Sequence, residues 1–348
     1  MIAPRSQDVS VESLRHHGDI DAAPGLIDFA VNVHGAEPPV WLQQRLAGRI
    51  GDLARYPSAD ENSSTRSVLA ERHRRSPDEV LLLAGAAEGF SLLPNLDIKH
   101  AVVIHPSFTE PEFILRRAGI RVTQLILREP FTLGARSVPD DADLVVLGNP
   151  TNPTSVLHTR EDIDLLRRPG RIVVVDEAFM DVVQGEHHSF STELAPDVVV
   201  LRSITKTWAL AGLRCGYALG DPEVLTQLGR TRPHWPVGSL QMEALRACSE
   251  PAAQGESLRI TQEISAHRDY LVDQLRGLVD GGIRVLTPAS APFVLVQVPS
   301  GLCAFLRTRG IAVRRCDTFP GLSDEYVRVA VRAPEQVDMV VNAMKEML

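Results

Sequence analysis

From about Glu79 onward the sequence alternates short, wholly apolar runs with longer amphipathic stretches. The runs are Val80–Ala84, Ala101–His105, Asp143–Gly148, Arg171–Asp176, Val198–Arg202 and Tyr217–Leu219. Each is continuous rather than alternating, as expected of strands covered on both faces of a parallel sheet. Between them, Pro111–Ala118 and Thr159–Arg168 read as helices, the second opening on an N-cap threonine with Asp162 in its first turn. A repeated β-α order predicts an α/β fold with a mostly parallel sheet flanked by helices.

The two ends of the chain read differently. The first 78 residues hold Pro24, Pro38, Pro39 and Pro57, a charged helical stretch (Ser67–Arg75) and one strand-like run, Leu26–Val33. From about Arg284 the order is strand (RVLTP), strand (FVLVQV), helix (Leu302–Arg309), strand (Ile311–Arg314), strand (Tyr326–Val331) and a last helix (Pro334–Met347), which is an α+β pattern.

Composition narrows the function. A hydrophobic share of 44% with 23% charged residues fits a folded globular chain and neither a disordered nor a fibrous one. Lys and Arg total 36 against 44 Asp and Glu, and the net charge of −8 disfavours nucleic acid and anionic membrane as partners. An anionic small molecule would instead need a local group of arginines. The four cysteines, at 215, 248, 303 and 316, show no C-x-x-C pair or zinc spacing, so no metal is expected and the thiols suit a reduced cytoplasm. No secretory h-region and no apolar run near 18 residues is visible, so neither export nor a membrane span is expected.

In open parallel sheets ligands bind beyond the carboxyl ends of the strands. The segments in that position are GAAEGF (85–90), PSFTE (106–110), NPTNPT (149–154), DEAF (176–179) and SITKTWALAGLR (203–214). Lys206 is the candidate nucleophile, since a lysine amine adds to a carbonyl when burial or a neighbouring cation lowers its pKa. Ser203, Thr205 and Arg214 beside it could cradle a phosphate; read alone, the same loop is a solvated charged turn. Asp176 at a strand end needs a partner, either the following turn or a protonated ring nitrogen of a heterocyclic cofactor. The helix after Gly85 offers the free amides of Ala86 and Ala87 to an anion.

Taken in order, GAAEGF, PSFTE, NPTNPT, VVVDEAF, LRSITKTWALAGLRCGY and YVRVAVR resemble the fold-type I pyridoxal-phosphate enzymes of the class I/II aminotransferase group, from about Leu26 to the C-terminus. Within that group the motifs are most similar to histidinol-phosphate aminotransferases and to the threonine-phosphate decarboxylase of cobalamin synthesis. The resemblance implies a large cofactor-binding domain over 45–283 and a small domain assembled from 1–44 and 284–348. Lys206 would carry pyridoxal phosphate as a Schiff base and later act as the base at the α-carbon. Asp176 would bind the pyridine nitrogen, Asn152 the ring 3′-oxygen and Phe108 the ring face. Ser203, Thr205, Arg214 and the amides of Ala86 and Ala87 would bind the phosphate, and Tyr56 would reach the cofactor phosphate of a partner subunit in a homodimer. Arg328 and Arg314 would grip the acid groups of a small amino substrate, with a 2-oxo acid as co-substrate and with Asn32 and His34 on the substrate loop.

Two positions depart from the group. Phe179 stands where many relatives have tyrosine, and the loop Phe29-Ala-Val-Asn-Val-His-Gly replaces a loop that usually reads Asn-Pro-(Leu)-Gly. Aminotransfer to or from a small phosphorylated amine or amino acid is the expected activity, and decarboxylation of threonine phosphate is the alternative. Which follows depends on the bond the arginines hold perpendicular to the cofactor ring. A third reading, a non-catalytic regulator that binds the cofactor, lacks a DNA-binding arm and sits poorly with Lys206, Asp176 and Arg214 together. The pairs His16-His17 and His187-His188 read as surface, Trp208 and Trp235 as packing residues, and His105 as a core residue.

Overall fold

The computed structural model describes residues 12–134 and 138–348. Residues 1–11 of the expected small domain therefore lie outside the described residues. Twelve strands form two sheets: β1 (Ile27–Phe29), β2 (Val80–Leu83), β3 (His100–His105), β4 (Arg121–Ile126), β5 (Leu144–Gly148), β6 (Ile172–Asp176), β7 (Val198–Ser203), β8 (Gly216–Leu219), β9 (Arg284–Val285), β10 (Phe293–Gln297), β11 (Ile311–Arg315) and β12 (Tyr326–Ala330). The larger sheet has the order β2-β8-β7-β6-β5-β3-β4, with β8 antiparallel to both neighbours and every other strand parallel. All six residues of β3 and of β7 are buried, which is why their runs carry no polar alternation.

The smaller sheet has the order β1-β11-β12-β10-β9, so a strand near the start of the chain pairs in parallel with one near its end. The Leu26–Val33 run yields only three strand residues because the Asp28 carboxylate accepts from the Ala30 and Val31 amides (2.7 and 2.9 Å) and turns the chain. The helix expected at Ser67–Arg75 spans Ala59–His73. Its start is set by Ser58, whose side chain accepts from the Glu61 amide, and by Asp60 and Glu61 in the first turn, with no apolar residue to announce it. The segment predicted as the Thr159–Arg168 helix is Arg160–Asp164, with Thr159 as the expected cap, and the chain leaves it before Pro169. The unforeseen elements include β4, whose half-buried RVTQLI mixes polar and apolar residues, and the helices Val40–Ala47, Pro222–Gly229, Ser239–Ala247 and Pro251–Arg276.

Successive side chains on a strand point to opposite faces. At the ends of β6 and β7, Asp176 and Ser203 face a cavity, while Glu177 and Arg202 turn to the other side. There the buried Arg202 guanidinium binds Glu177 (3.0 Å), Asp181 and Glu186 (2.7 Å), and Glu177 also accepts from Ser189 Oγ (2.7 Å) and the Phe190 amide (2.8 Å). One guanidinium thus joins β6 and β7 just behind the residues that matter at their ends. Replacing it strands Glu177 and leaves Asp181 and Glu186 only Arg72 (3.4 and 3.5 Å), and losing one partner of a buried ion pair typically costs about 3–5 kcal/mol. Arg202→Met is expected to lower the unfolding free energy obtained by urea titration by an amount of that order, seen as a lower midpoint; a midpoint within experimental error of the parent protein would show that the cluster holds nothing.

Candidate active site

The loops after β2, β3, β5, β6 and β7 converge with one face of the smaller sheet on a cavity of about 480 Å³. Ala86, Ala87, Phe108, Asn152, Asp176, Ser203, Thr205, Lys206, Arg214, Arg314, Arg328 and Asn32 all line it. Two expected residues do not. Tyr56 is 76% exposed and lies in a separate hollow, stacked on Trp235 with ring centres 4.3 Å apart. His34 keeps its ring outside the cavity, but its amide donates to the Lys206 carbonyl (2.8 Å).

Lys206 follows the buried strand β7 in the sharp turn that begins at Ser203. Burial, reinforced by the nearby Arg328 and Arg214 guanidinium groups, brings its amine down to about 8. Asp176 moves the other way: burial raises its carboxyl to about 6 against the opposing pull of the Ala178 amide and Lys206. Its Oδ1 accepts from that amide at 3.1 Å, so it caps the following turn and faces the cavity at once.

At one end of the cavity Ser203 and Thr205 share a hydroxyl hydrogen bond (2.7 Å) beside the first amides of the helix Ala86–Leu92, with Arg214 alongside. A β-carbon on Gly216 would come within 2.6 Å of the Ala86 nitrogen, so glycine there lets the helix start close against β8. Arg214 adopts a left-handed backbone conformation (φ 60°), rare for a residue with a side chain and most often found at functional sites.

At the other end Arg314 and Arg328 stand directly opposite each other on β11 and β12. Their environments differ. Arg314 donates to Asp21 (3.1 Å), Thr318 Oγ1 (2.8 Å) and the carbonyls of His16 (2.7 Å) and Arg315 (2.6 Å), which occupies both terminal nitrogens of its fork. Arg328 meets only neutral acceptors: Asn152 Oδ1, the Ala30 carbonyl, and the Asn32 amide oxygen from Nε (3.2 Å) and Nη1 (3.0 Å). Burial and the facing Arg314 bring Arg328 down to about 9. Of the two guanidiniums, Arg328 is the one whose charge is left for a ligand.

This lining fits pyridoxal phosphate along its length: hydroxyls, amides and Arg214 for a phosphate, the flat Phe108 for a ring, Asp176 for a ring nitrogen, Asn152 for a ring oxygen and Lys206 for an aldehyde. Sequence reasoning missed His17, Gly18 and Asp19, which also line the cavity. The His16-His17 pair is not a free surface feature. His16 bonds Asp21 (2.9 Å), and His17 bonds Glu110 (3.2 Å) with its ring tilted over Phe108 at 5.1 Å. Gly18 fits there because a β-carbon would lie 2.6 Å from the Ala30 carbonyl oxygen, a contact that no local sequence signal announces. Phe179 packs edge-on against Phe293 at 5.0 Å, and no group that could hold a metal ion occurs among the described residues. Trp208 is buried and His105 binds Glu112 (2.7 Å) in the core, as expected.

Residues 24–344 match the family described as aminotransferase class I and II. The chain is 52% identical over 333 residues to a histidinol-phosphate aminotransferase of Mycobacterium tuberculosis, covering 95% of this chain and 90% of that one. It is 26% identical over 339 residues to a threonine-phosphate decarboxylase of Salmonella typhimurium, covering 93% and 91%. Among solved structures it superposes on the histidinol-phosphate aminotransferase of Clostridium acetobutylicum with a TM-score of 0.83 at 25% identity, covering 92% of this chain and 99% of that one.

Only the neutral form of an amine adds to an aldehyde, so the displaced Lys206 has a kinetic signature. The amount of pyridoxal phosphate trapped on the cofactor-free protein by borohydride in a fixed short time should rise from about pH 7 and level off at about 9, about one pH unit above the point where half of Lys206 is neutral. An ordinary lysine, with a pKa near about 10.4, would keep gaining through about pH 10, and that profile would contradict the assigned environment.

Proposed function

Because the chain belongs to the class I and II aminotransferase family and depends on pyridoxal phosphate, we propose that it transfers the amino group of a small phosphorylated amine, of the histidinol-phosphate type, to a 2-oxo acid. One observation carries the choice of substrate class: Arg328, buried in the same cavity as Lys206, has no carboxylate partner among the described residues and so suits a substrate phosphate or carboxylate. The 52% identity to a histidinol-phosphate aminotransferase supports the same substrate.

Bound in the cavity, pyridoxal phosphate supplies an aldehyde that captures amines and a conjugated ring that accepts an electron pair from a bond at the substrate α-carbon. Lys206 would hold the cofactor through Nζ, and Asp176, at the end of β6, would be the counter-charge that keeps a proton on its ring nitrogen. Ser203, Thr205, Arg214 and the Ala86 and Ala87 amides hold the phosphate, and Phe108 lies against the ring. Asn152 is shared between the ring oxygen and Arg328. Arg328 would orient the substrate so that Lys206 Nζ, freed when the substrate amine takes its place on the aldehyde carbon, could take the α-carbon proton and deliver it to that aldehyde carbon. Arg314, committed to Asp21 and the 16–21 turn, acts mainly through the shape of the substrate end. Asn32 sets Arg328, and His34 acts through its backbone on Lys206.

The division into 45–283 and the joined segments 1–44 and 284–348 belongs to this reading, supported by the pairing of β1 with β11. So does a cytoplasmic location, which suits four cysteines that form no disulfide. Among the described residues no helix is long and apolar enough to cross a membrane. A homodimer belongs here too. Tyr56, exposed and stacked on Trp235, can be presented from the surface to a second subunit's cofactor phosphate.

With pyridoxal phosphate, histidinol phosphate and 2-oxoglutarate the protein should form glutamate, and borohydride should fix the label on Lys206 rather than on Lys99 or Lys345, the chain's two other lysines. Carbon dioxide from threonine phosphate without glutamate in the first assay would replace aminotransfer by decarboxylation; a label unaffected by Lys206→Ala would remove both. Light scattering should give twice the 38.1 kDa chain mass, and Tyr56→Phe should weaken cofactor retention about tenfold, the size of one charged hydrogen bond. A 38.1 kDa particle that retains cofactor would exclude the shared site.

A further inference from the structure

Four residues after Arg328 stands Arg332, which makes no salt bridge among the described residues. Its fork is spent on backbone oxygens: Nε donates to the Asp28 carbonyl (2.9 Å), Nη2 to Val31 (2.6 Å), and Nη1 to Val331 (3.0 Å) and, more loosely, Val33 (3.5 Å). Three of these four carbonyls belong to one loop, residues 28–33, which the Asp28 carboxylate also braces from inside through the Ala30 and Val31 amides.

That loop is the collar of Arg328. The Ala30 carbonyl and the Asn32 amide oxygen both accept from the Arg328 guanidinium, and Ala30, Val31, Asn32 and Val33 line the cavity. One residue further on, the His34 amide holds the Lys206 carbonyl (2.8 Å). Beyond Phe29 the loop has no strand partner and owes its shape to such cross-links, and a guanidinium, with five donors spread over three nitrogens, can reach carbonyls set apart along it, whereas an ammonium offers three donors from a single nitrogen. Small misplacements of a substrate-anchoring group carry large penalties in rate.

We propose that Arg332 is a positioning residue for substrate recognition: by fixing the 28–33 loop it sets the orientation of the Arg328 guanidinium, so that the preference for a phosphorylated over an unphosphorylated amine depends on it. The proposal rests on Arg328 being the anchor of the substrate anion. Arg332 touches neither substrate nor cofactor and acts through the loop alone.

The test compares kcat/KM for histidinol phosphate and for histidinol, or for threonine phosphate and threonine if that is the substrate turned over, in the cofactor-loaded protein. Arg332→Gln should reduce the ratio between the two at least tenfold, chiefly through KM of the phosphorylated member. Arg332→Lys, which keeps a cation but can hold fewer carbonyls, should fall between, and added guanidinium should restore part of the ratio in Arg332→Ala. In the Arg328→Ala background, Arg332→Gln should change the ratio no further. A merely structural role would lower both substrates together and leave the ratio intact, and that result, or full additivity with Arg328→Ala, overturns the proposal. If Arg328→Ala itself keeps the preference, the anchoring role of Arg328 falls and the proposal falls with it. If Arg328→Ala abolishes the preference while all three Arg332 variants retain it, the anchor stands and the proposal alone is lost.

Discussion

Like charges held together in a partly dry cavity are the constraint around which this protein is arranged. Lys206, Arg214, Arg314 and Arg328 line one space, faced there by two carboxylates, Asp19 and Asp176. Arg314 and Arg328 are direct cross-strand partners, a placement that brings Cβ atoms to about 5 Å and destabilises a sheet when the charges match. Burial and this crowding bring Lys206 to about 8 and Arg328 to about 9. Such an arrangement persists only where the surroundings over-determine it. It is best relieved by anions at two points, one beside Arg214 and one beside Arg328.

The over-determination comes from opposite directions. Behind the larger sheet, the Arg202 cluster balances one guanidinium with Glu177, Asp181 and Glu186 and fixes the ends of β6 and β7. In front, contacts between residues far apart in sequence close the substrate end: Arg314 on Asp21 and His16, Arg328 on Ala30 and Asn152, and Arg332 on the 28–33 loop. The acidic surplus of the whole chain therefore says little about its ligand. Arginine makes most of these links, and its fixed fork lets one residue satisfy several carbonyls without an acid beside it.

This division also explains what could be read from the sequence. The β-branched runs VVVD and VVVLR predict buried strands because a strand covered on both faces needs no polar alternation, and Asp176, Ser203, Thr205 and Lys206 then fall at strand ends by position alone. Their convergence on one cavity follows from parallel topology. The reversed direction of β8 leaves no mark in its run, since a buried strand looks alike either way. His17, Gly18 and Arg332 were invisible for a different reason. Their partners, Glu110, Ala30 and Val31, lie 93, 12 and 301 positions away, and no local periodicity encodes contacts at such separations. Tyr56 shows the opposite limit: its motif is legible, but its surroundings in one chain are a surface stack with Trp235.

The choice between aminotransfer and carbon dioxide release turns on how many fixed points a substrate has. With two free guanidiniums, a substrate bearing both carboxylate and phosphate would be pinned at both acid groups, and the bond held perpendicular to the ring would be set by the protein. Here both terminal nitrogens of the Arg314 fork are committed to the 16–21 turn, Thr318 and its own strand, and Arg328 alone remains without a carboxylate. A single free anchor fixes one acid group at a time, which leaves none of histidinol phosphate's acid groups unheld but would leave one of the two on threonine phosphate unheld. In the proposed reading Phe179, packed on Phe293, would add no hydroxyl at the ring edge, so Asn152 would serve both the ring and Arg328. The link through Asn152 makes the setting of Arg328, and hence of the loop that collars it, a property of the reacting centre as well as of binding.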